Sequence, residues 1–93
     1  MTHAMKSIRL FHFKACPYCR EVYRWLDEVK AEDPELHDIP VELIDERLHP
    51  DIASRYDYWY VPAFYVDGEK VHEGVCSKDK VRAILRMAKN YRY

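Results

Sequence analysis

The chain has 93 residues, enough for one compact domain and little room for a second. An apolar fraction of 48% with only two glycines excludes a disordered or fibrous chain, and a formal net charge of -1 gives no general electrostatic reason to expect nucleic acid or an anionic membrane as partner. No apolar run approaches the ~18 residues needed to span a bilayer, the N-terminus lacks a signal-peptide core, and three cysteines are too few, and odd in number, for a disulfide scaffold; a monomer in a reducing cytoplasm is expected.

Residues 1–93 are taken as a single domain, with about residues 1–5, Met1 to Met5, as a flexible lead-in. Ile8 to Phe13 is apolar on both parities except for Arg9 and His12, the pattern of a central strand covered on both faces. His12 invites a role as base for a cysteine. Because nothing in the sequence sets its distance to Cys16, it is read as packed or hydrogen-bonded in place.

Directly after this strand comes Cys16-Pro17-Tyr18-Cys19, and directly after that a helical pattern. A thiol where a strand ends and a helix begins meets unpaired backbone N–H groups and the positive end of the helix dipole, both of which favour thiolate over thiol. Thiolate is the attacking species, so this placement marks Cys16 as the nucleophile. Lys14 and Arg20 add positive charge nearby. Pro17 suits the first helical turn, where its missing N–H has no helical partner. The apolar positions Cys19, Val22, Tyr23, Leu26 and Val29 have helical spacing, and Pro34 ends the helix by Asp33. Cys19 belongs to that buried stripe and Cys16 does not. The expectation is therefore an exposed, attacking Cys16 and a sheltered, resolving Cys19 one turn behind it.

Asp33 to Pro40 reads as a polar connection and Val41 to Asp45 as a second strand, completing a right-handed βαβ unit with parallel strands. Pro50 opens a short helix with Ile52 and Tyr56 on one face. Asp57 to Pro62 is unusually aromatic for a loop. Either the rings close a small core, or they form an apolar apron beside the thiols. Ala63 to Val66 is the third strand, Asp67-Gly68 a two-residue hairpin turn and Glu69 to His72 the fourth strand. Gly74 breaks that strand, Ser77 is the N-cap of a last helix, and Val81, Ile84, Leu85 and Ala88 mark its inner face. Asp27 to Asp51 is largely acidic and Lys78 to Arg92 largely basic, read as two solvated helix faces.

In these features the chain resembles the glutaredoxin branch of the thioredoxin superfamily, over nearly its full length from about Lys6. Cys16-Pro17-Tyr18-Cys19 is similar to the dithiol glutaredoxin active site, Val61-Pro62 to the family's cis-proline, Gly74 to the start of its glycine pair, and Cys76-Ser77 to the Cys-Ser that often follows. The resemblance implies a thioredoxin fold: a four-stranded mixed sheet with three flanking helices in the order β-α-β-α-β-β-α. It also implies a thiol–disulfide oxidoreductase that reduces protein disulfides or glutathione mixed disulfides. Cys16 and Cys19 would be catalytic, supported by Pro17, Tyr18, Pro62 and Lys14. Glutathione, as co-substrate and not a bound cofactor, would lie against Lys14, Tyr18, Val61, Pro62, Gly74, Cys76 and Ser77. Val75, Lys78 and the position of Lys14 depart from the glutathione pattern. Ala15 and Leu10 depart from thioredoxin itself, which has Trp and a buried Asp there. The alternative is a thioredoxin-like donor recycled by a protein of the thioredoxin-reductase type. A module binding zinc through Cys16, Cys19, Cys76 and either His12 or His72, or an iron–sulfur cluster, ranks below both, and no metal site is expected. Cys76 is read as a small packed thiol.

Overall fold

In the computed structural model, which describes residues 7–89, the expected lead-in lies outside the described residues. The elements are β1 (Ile8–His12), α1 (Pro17–Glu32), β2 (Val41–Asp45), α2 (Pro50–Ala53), β3 (Ala63–Val66), β4 (Glu69–Glu73) and α3 (Lys78–Lys89). The sheet runs β2-β1-β3-β4, with β1 parallel to β2, and β3 antiparallel to both β1 and β4. This is the expected α/β architecture in the expected order.

The alternation of β1 explains how the sheet is covered. Ile8 and Leu10 face one way and join Phe64 and Val66 of β3 beneath α1 and α3. Phe11 faces the other way with Ala63 and Tyr65, under Ile52 of α2 and the rings of Tyr56 and Tyr58. Both faces of the central strands are thus apolar, as the unbroken hydrophobic run of β1 requires. Along α1 the buried positions are Cys19, Val22, Leu26 and Val29; along α3 they are Val81, Ile84, Leu85 and Ala88. The Asp67-Gly68 turn has positive φ at both residues (53° and 85°), the backbone that suits a tight hairpin between right-twisted strands.

Two features differ from the sequence expectation. The connection from Asp33 to Pro40 contains a short 3₁₀ turn (Pro34–Leu36) and buries Leu36 and Ile39 in the main core. Two isolated apolar residues carry no periodicity, so only packing reveals them. The acidic and basic stretches are also not two independent solvated faces. Lys78 pairs with Glu28 and Glu32, Arg82 with Glu32 and Asp33, and Arg86 with Asp33 and Glu35. The end of α1 and the face of α3 are joined by this ladder of ion pairs, each worth about 0.2–1 kcal/mol where exposed.

Candidate active site

β1 delivers the chain to the site, and a tight turn sends it into α1. The Cys16 N–H donates to the Phe13 carbonyl (3.1 Å), the Arg20 N–H donates to the Cys16 carbonyl (3.1 Å), and Cys16 takes an extended conformation as the N-cap. Its side chain makes no capping hydrogen bond, and Pro17 occupies the first helical position. The sulfur therefore stands at the end of the helix where backbone N–H groups lack helical partners.

The expectation of an exposed Cys16 needs correction: it is only 5% exposed, and Cys19 is fully buried. The Cys16 sulfur lies in contact with the Cys19 thiol, and the turn bond to Phe13 holds the residue inward. Having no place on the apolar stripe of a helix does not expose an N-cap side chain when its neighbour one turn on is sealed. The asymmetry of the pair survives. Burial pushes the Cys19 thiol up to about 12, with the Cys16 sulfur adding to the rise and a hydrogen bond from the Phe13 backbone opposing it.

An open cavity of about 590 Å³ lies against residues on either side of the dithiol in the chain, though neither cysteine lines it. It is lined by Phe13 and Tyr18, which bracket Cys16 along the chain, and by Tyr58, Trp59, Tyr60 and Val61. Gly74, Val75 and two carboxylates, Glu46 and Glu73, complete it. The Val61-Pro62 peptide is cis, Pro62 is buried, and the Pro62 carbonyl accepts the Gly74 N–H at 2.9 Å. Gly74 has φ 84°, a left-handed backbone that a side-chain-bearing residue would adopt only with strain.

The rings of the aromatic loop divide between the core and the surface. Tyr58 stacks on Phe11 (5.1 Å between centroids) and donates to Glu46 at 2.6 Å, so it is core. Trp59 is 82% exposed and Tyr60 67%, and both line the cavity.

Of the expected site residues, Tyr18, Val61 and Gly74 meet at the cavity. Lys14 is exposed, and its carbonyl accepts the Arg20 guanidinium at 3.1 Å. Ser77 caps α3, its Oγ accepting the Lys80 N–H at 3.1 Å. Cys76 is half-buried against the main core, where burial pushes its thiol up. Lys14, Cys16, Pro17, Cys19, Pro62, Cys76 and Ser77 do not line the cavity. Among the described residues no group of three or more His, Cys, Asp or Glu is placed to hold a metal ion. The His12 Nδ1 is hydrogen-bonded to the Tyr23 hydroxyl, and the His72 Nε2 to the Val75 carbonyl. Sequence reasoning missed Glu46, Glu73 and Val75 as cavity residues. It had no signal for the two carboxylates, because Glu46 follows β2 while Glu73 ends β4, with Val75 just beyond it, and only the sheet order brings these two strand ends together.

A Cys-x-x-Cys pair at the start of the first helix, with a cis-proline loop before the third strand, defines a redox protein of the thioredoxin-fold class. A family model described as "Thioredoxin domain" matches residues 6–86, and the chain belongs to that family. No curated protein sequence matches it. Among solved structures it is similar to a mutant thioredoxin from Halobacterium salinarum, at 19% identity and TM-score 0.70 over 97% of this chain and 80% of that one. The oxidised thioredoxin of Plasmodium falciparum is 14% identical with TM-score 0.66, covering 89% of this chain and 80% of that one. An uncharacterized thioredoxin-like protein from Clostridium perfringens is 26% identical with TM-score 0.64, covering 94% and 73%. No helix of the described residues is long and apolar enough to cross a membrane.

Proposed function

We propose that the protein is a thiol–disulfide oxidoreductase whose substrates are protein disulfides, with Cys16 as nucleophile and Cys19 as resolving thiol. The Cys16 thiolate attacks one sulfur of the substrate disulfide. A Cys16–substrate bond forms, the substrate S–S bond breaks, and the departing sulfur takes the electron pair and then a proton. Cys19 next attacks the Cys16 sulfur, forming the Cys16–Cys19 disulfide and releasing the second substrate thiol. Two electrons have passed from the dithiol to the substrate. A reducing, cytoplasmic setting belongs to the proposal, since the dithiol form is the electron donor.

The observation that carries this reading is an N-cap thiol in contact with a second, buried one, with Phe13 and Tyr18 on either side of it in the chain lining an aromatic cavity. A nearly buried sulfur is best reached by a disulfide presented on an extended peptide. Tyr18, Trp59 and Tyr60 offer apolar walls to such a peptide, and the Val61 backbone, followed by Pro62, is free to pair with it as an added strand.

Glutathione as the resetting thiol is the second reading, that of a glutaredoxin. It is supported by the convergence of Tyr18, Val61 and Gly74 on one cavity. Against it stand Glu46 and Glu73 on the same wall, because the tripeptide brings two carboxylates of its own. Lys78, the cation at the start of α3, is already engaged by Glu28 and Glu32. A reductase protein is therefore the favoured electron source.

The test runs insulin reduction coupled in parallel to thioredoxin reductase and to glutathione with glutathione reductase. Turnover with the first and little with the second supports the proposal; turnover with glutathione alone assigns the glutaredoxin reading. Cys16→Ser should abolish both. Retention of activity by Cys16→Ser would sink the mechanism.

A further inference from the structure

Five aromatic rings line the cavity, those of Phe13, Tyr18, Tyr58, Trp59 and Tyr60, together with two carboxylates and, among the described residues, no lysine, arginine or histidine. Aromatic rings carry a negative face, so such a cavity attracts a cation through its walls as well as through its acids. The two acids are not equivalent. Glu73 is paired with the Lys70 ammonium on the same strand. Glu46 makes no ion pair among the described residues. Its Oε1 accepts the Tyr58 hydroxyl at 2.6 Å, and Tyr58 is itself held by stacking on the buried Phe11. That bond fixes the carboxylate at the cavity wall and leaves its Oε2 without a partner among the described residues.

The next residue, Arg47, does not answer this charge. Its guanidinium lies over the Phe13 ring, 4.0 Å from the centroid, and borders a neighbouring hollow in place of this one. The chain thus already lays one guanidinium on a ring of this wall, while Glu46 stays uncompensated. The cavity also lies along the path of a bound peptide. The Phe13 carbonyl accepts the Cys16 N–H at 3.1 Å, Tyr18 is two residues beyond Cys16, and Val61 leads into the cis-proline. A volume of about 590 Å³ is large enough for a long side chain.

We infer that this cavity selects protein disulfides that carry an arginine within two residues of the cysteine bonded to Cys16. The guanidinium enters between the rings and sets its N–H fork on the Glu46 carboxylate. Arginine suits the site better than lysine, because its flat, weakly hydrated head stacks on rings and gives two parallel hydrogen bonds to a carboxylate. This selection rests on Cys16 and Cys19 being the exchanging thiols, and it adds no step to their chemistry.

The test uses the full chain and short disulfide-linked peptides with a fluorescent reporter. Arginine, or its neutral isostere citrulline, is placed in turn at each position within two residues of the cysteine. At one or more positions the arginine peptide should be reduced with kcat/KM about tenfold above its citrulline twin, mainly through KM, as a partly exposed charge pair on aromatic rings allows. Glu46→Gln, whose amide oxygen can still accept the Tyr58 hydroxyl, should bring that ratio close to one. Glu46 also acts electrostatically on the Cys19 thiol, but both peptides meet the same thiols, so this influence cancels in the ratio. Equal rates for every pair of twins overturn the inference, and so does a preference that survives Glu46→Gln. Should Glu46→Gln fail to fold, salt decides: the ratio in the unaltered protein should shrink several-fold by about 0.5 M salt, and a constant ratio overturns the inference. Failure of the unaltered protein to reduce any of the peptides would instead overturn the oxidoreductase reading on which the selection depends.

Discussion

The sealed thiol of Cys19 should make the reduced protein unusually sensitive to alkali. An unfolded cysteine takes its ordinary value of 9.0, but in the fold burial pushes this one up to about 12. Between those values the unfolded chain has lost a proton that the folded chain still holds. The stability Cys19 contributes is therefore complete below pH 9 and is lost as pH rises from about 9 toward 12. At about 1.4 kcal/mol for each unit of difference, the ceiling is a few kcal/mol, with roughly 1 kcal/mol gone by pH 10. Against a typical total of about 5–15 kcal/mol, that first loss is readily measured. The perturbation is Cys19→Ala, which removes the titrating group. The assay is urea unfolding of both proteins at pH 7 and pH 10 under a phosphine reductant. Tyr23, Tyr58, Tyr65 and Cys76 are also pushed up and lose stability at high pH; both proteins carry them, so the difference of differences reports Cys19 together with its influence on Tyr23. Oxidising the pair should remove the effect, because a disulfide has no proton to lose. Equal alkaline losses in the two reduced proteins would show that Cys19 titrates as if in water, and the argument from its burial would fail.

Burial also lowers the His12 pKa, so the unfolded chain binds that proton first. The corresponding stability is present above about pH 6.5 and is lost as pH falls through the lower folded value, a slope that His12→Gln should flatten in urea melts at pH 7.5 and pH 5. Phe11 is fully buried with the rings of Tyr56, Tyr58 and Tyr65 around it; Phe11→Ala should cost about 3–5 kcal/mol by chemical denaturation. Trp59→Ala should change stability by no more than about 0.5 kcal/mol, because the ring is exposed. It should nonetheless raise KM for a protein disulfide by about tenfold in the insulin assay, as loss of an aromatic anchor does. Ser77→Ala removes the hydroxyl that accepts the Lys80 N–H and should cost about 1 kcal/mol in thermal melts.

Local signals carried most of the fold. The strand starts, the stop of α1 before Pro34, the Asp67-Gly68 turn and the Ser77 cap all follow from interactions within a few residues, and the structure places them where the pattern does; β1 stops one residue short of the expected Phe13 and β4 runs one residue past His72. The dithiol was equally legible, since its helix start and its spacing are both local. The cavity was legible only in part. Tyr18, Val61 and Gly74 were identified by family resemblance, while Glu46 and Glu73 sit at strand ends that become neighbours only once β2 and β4 take their places in the sheet.

What the amino-acid order determined by itself was therefore the set of elements and the presence of two thiols at the head of a helix, because capping, turn geometry and periodicity act over one or two turns of chain. What tertiary structure alone decided was the environment of those thiols. Whether Cys16 is open or tucked against Cys19, whether Leu36 and Ile39 are loop or core, and whether His12 reaches Tyr23 depend on how β1, α1 and the Val61-Pro62 loop close on one another. Burial is set by every neighbour at once, and so it is written in no single stretch of residues.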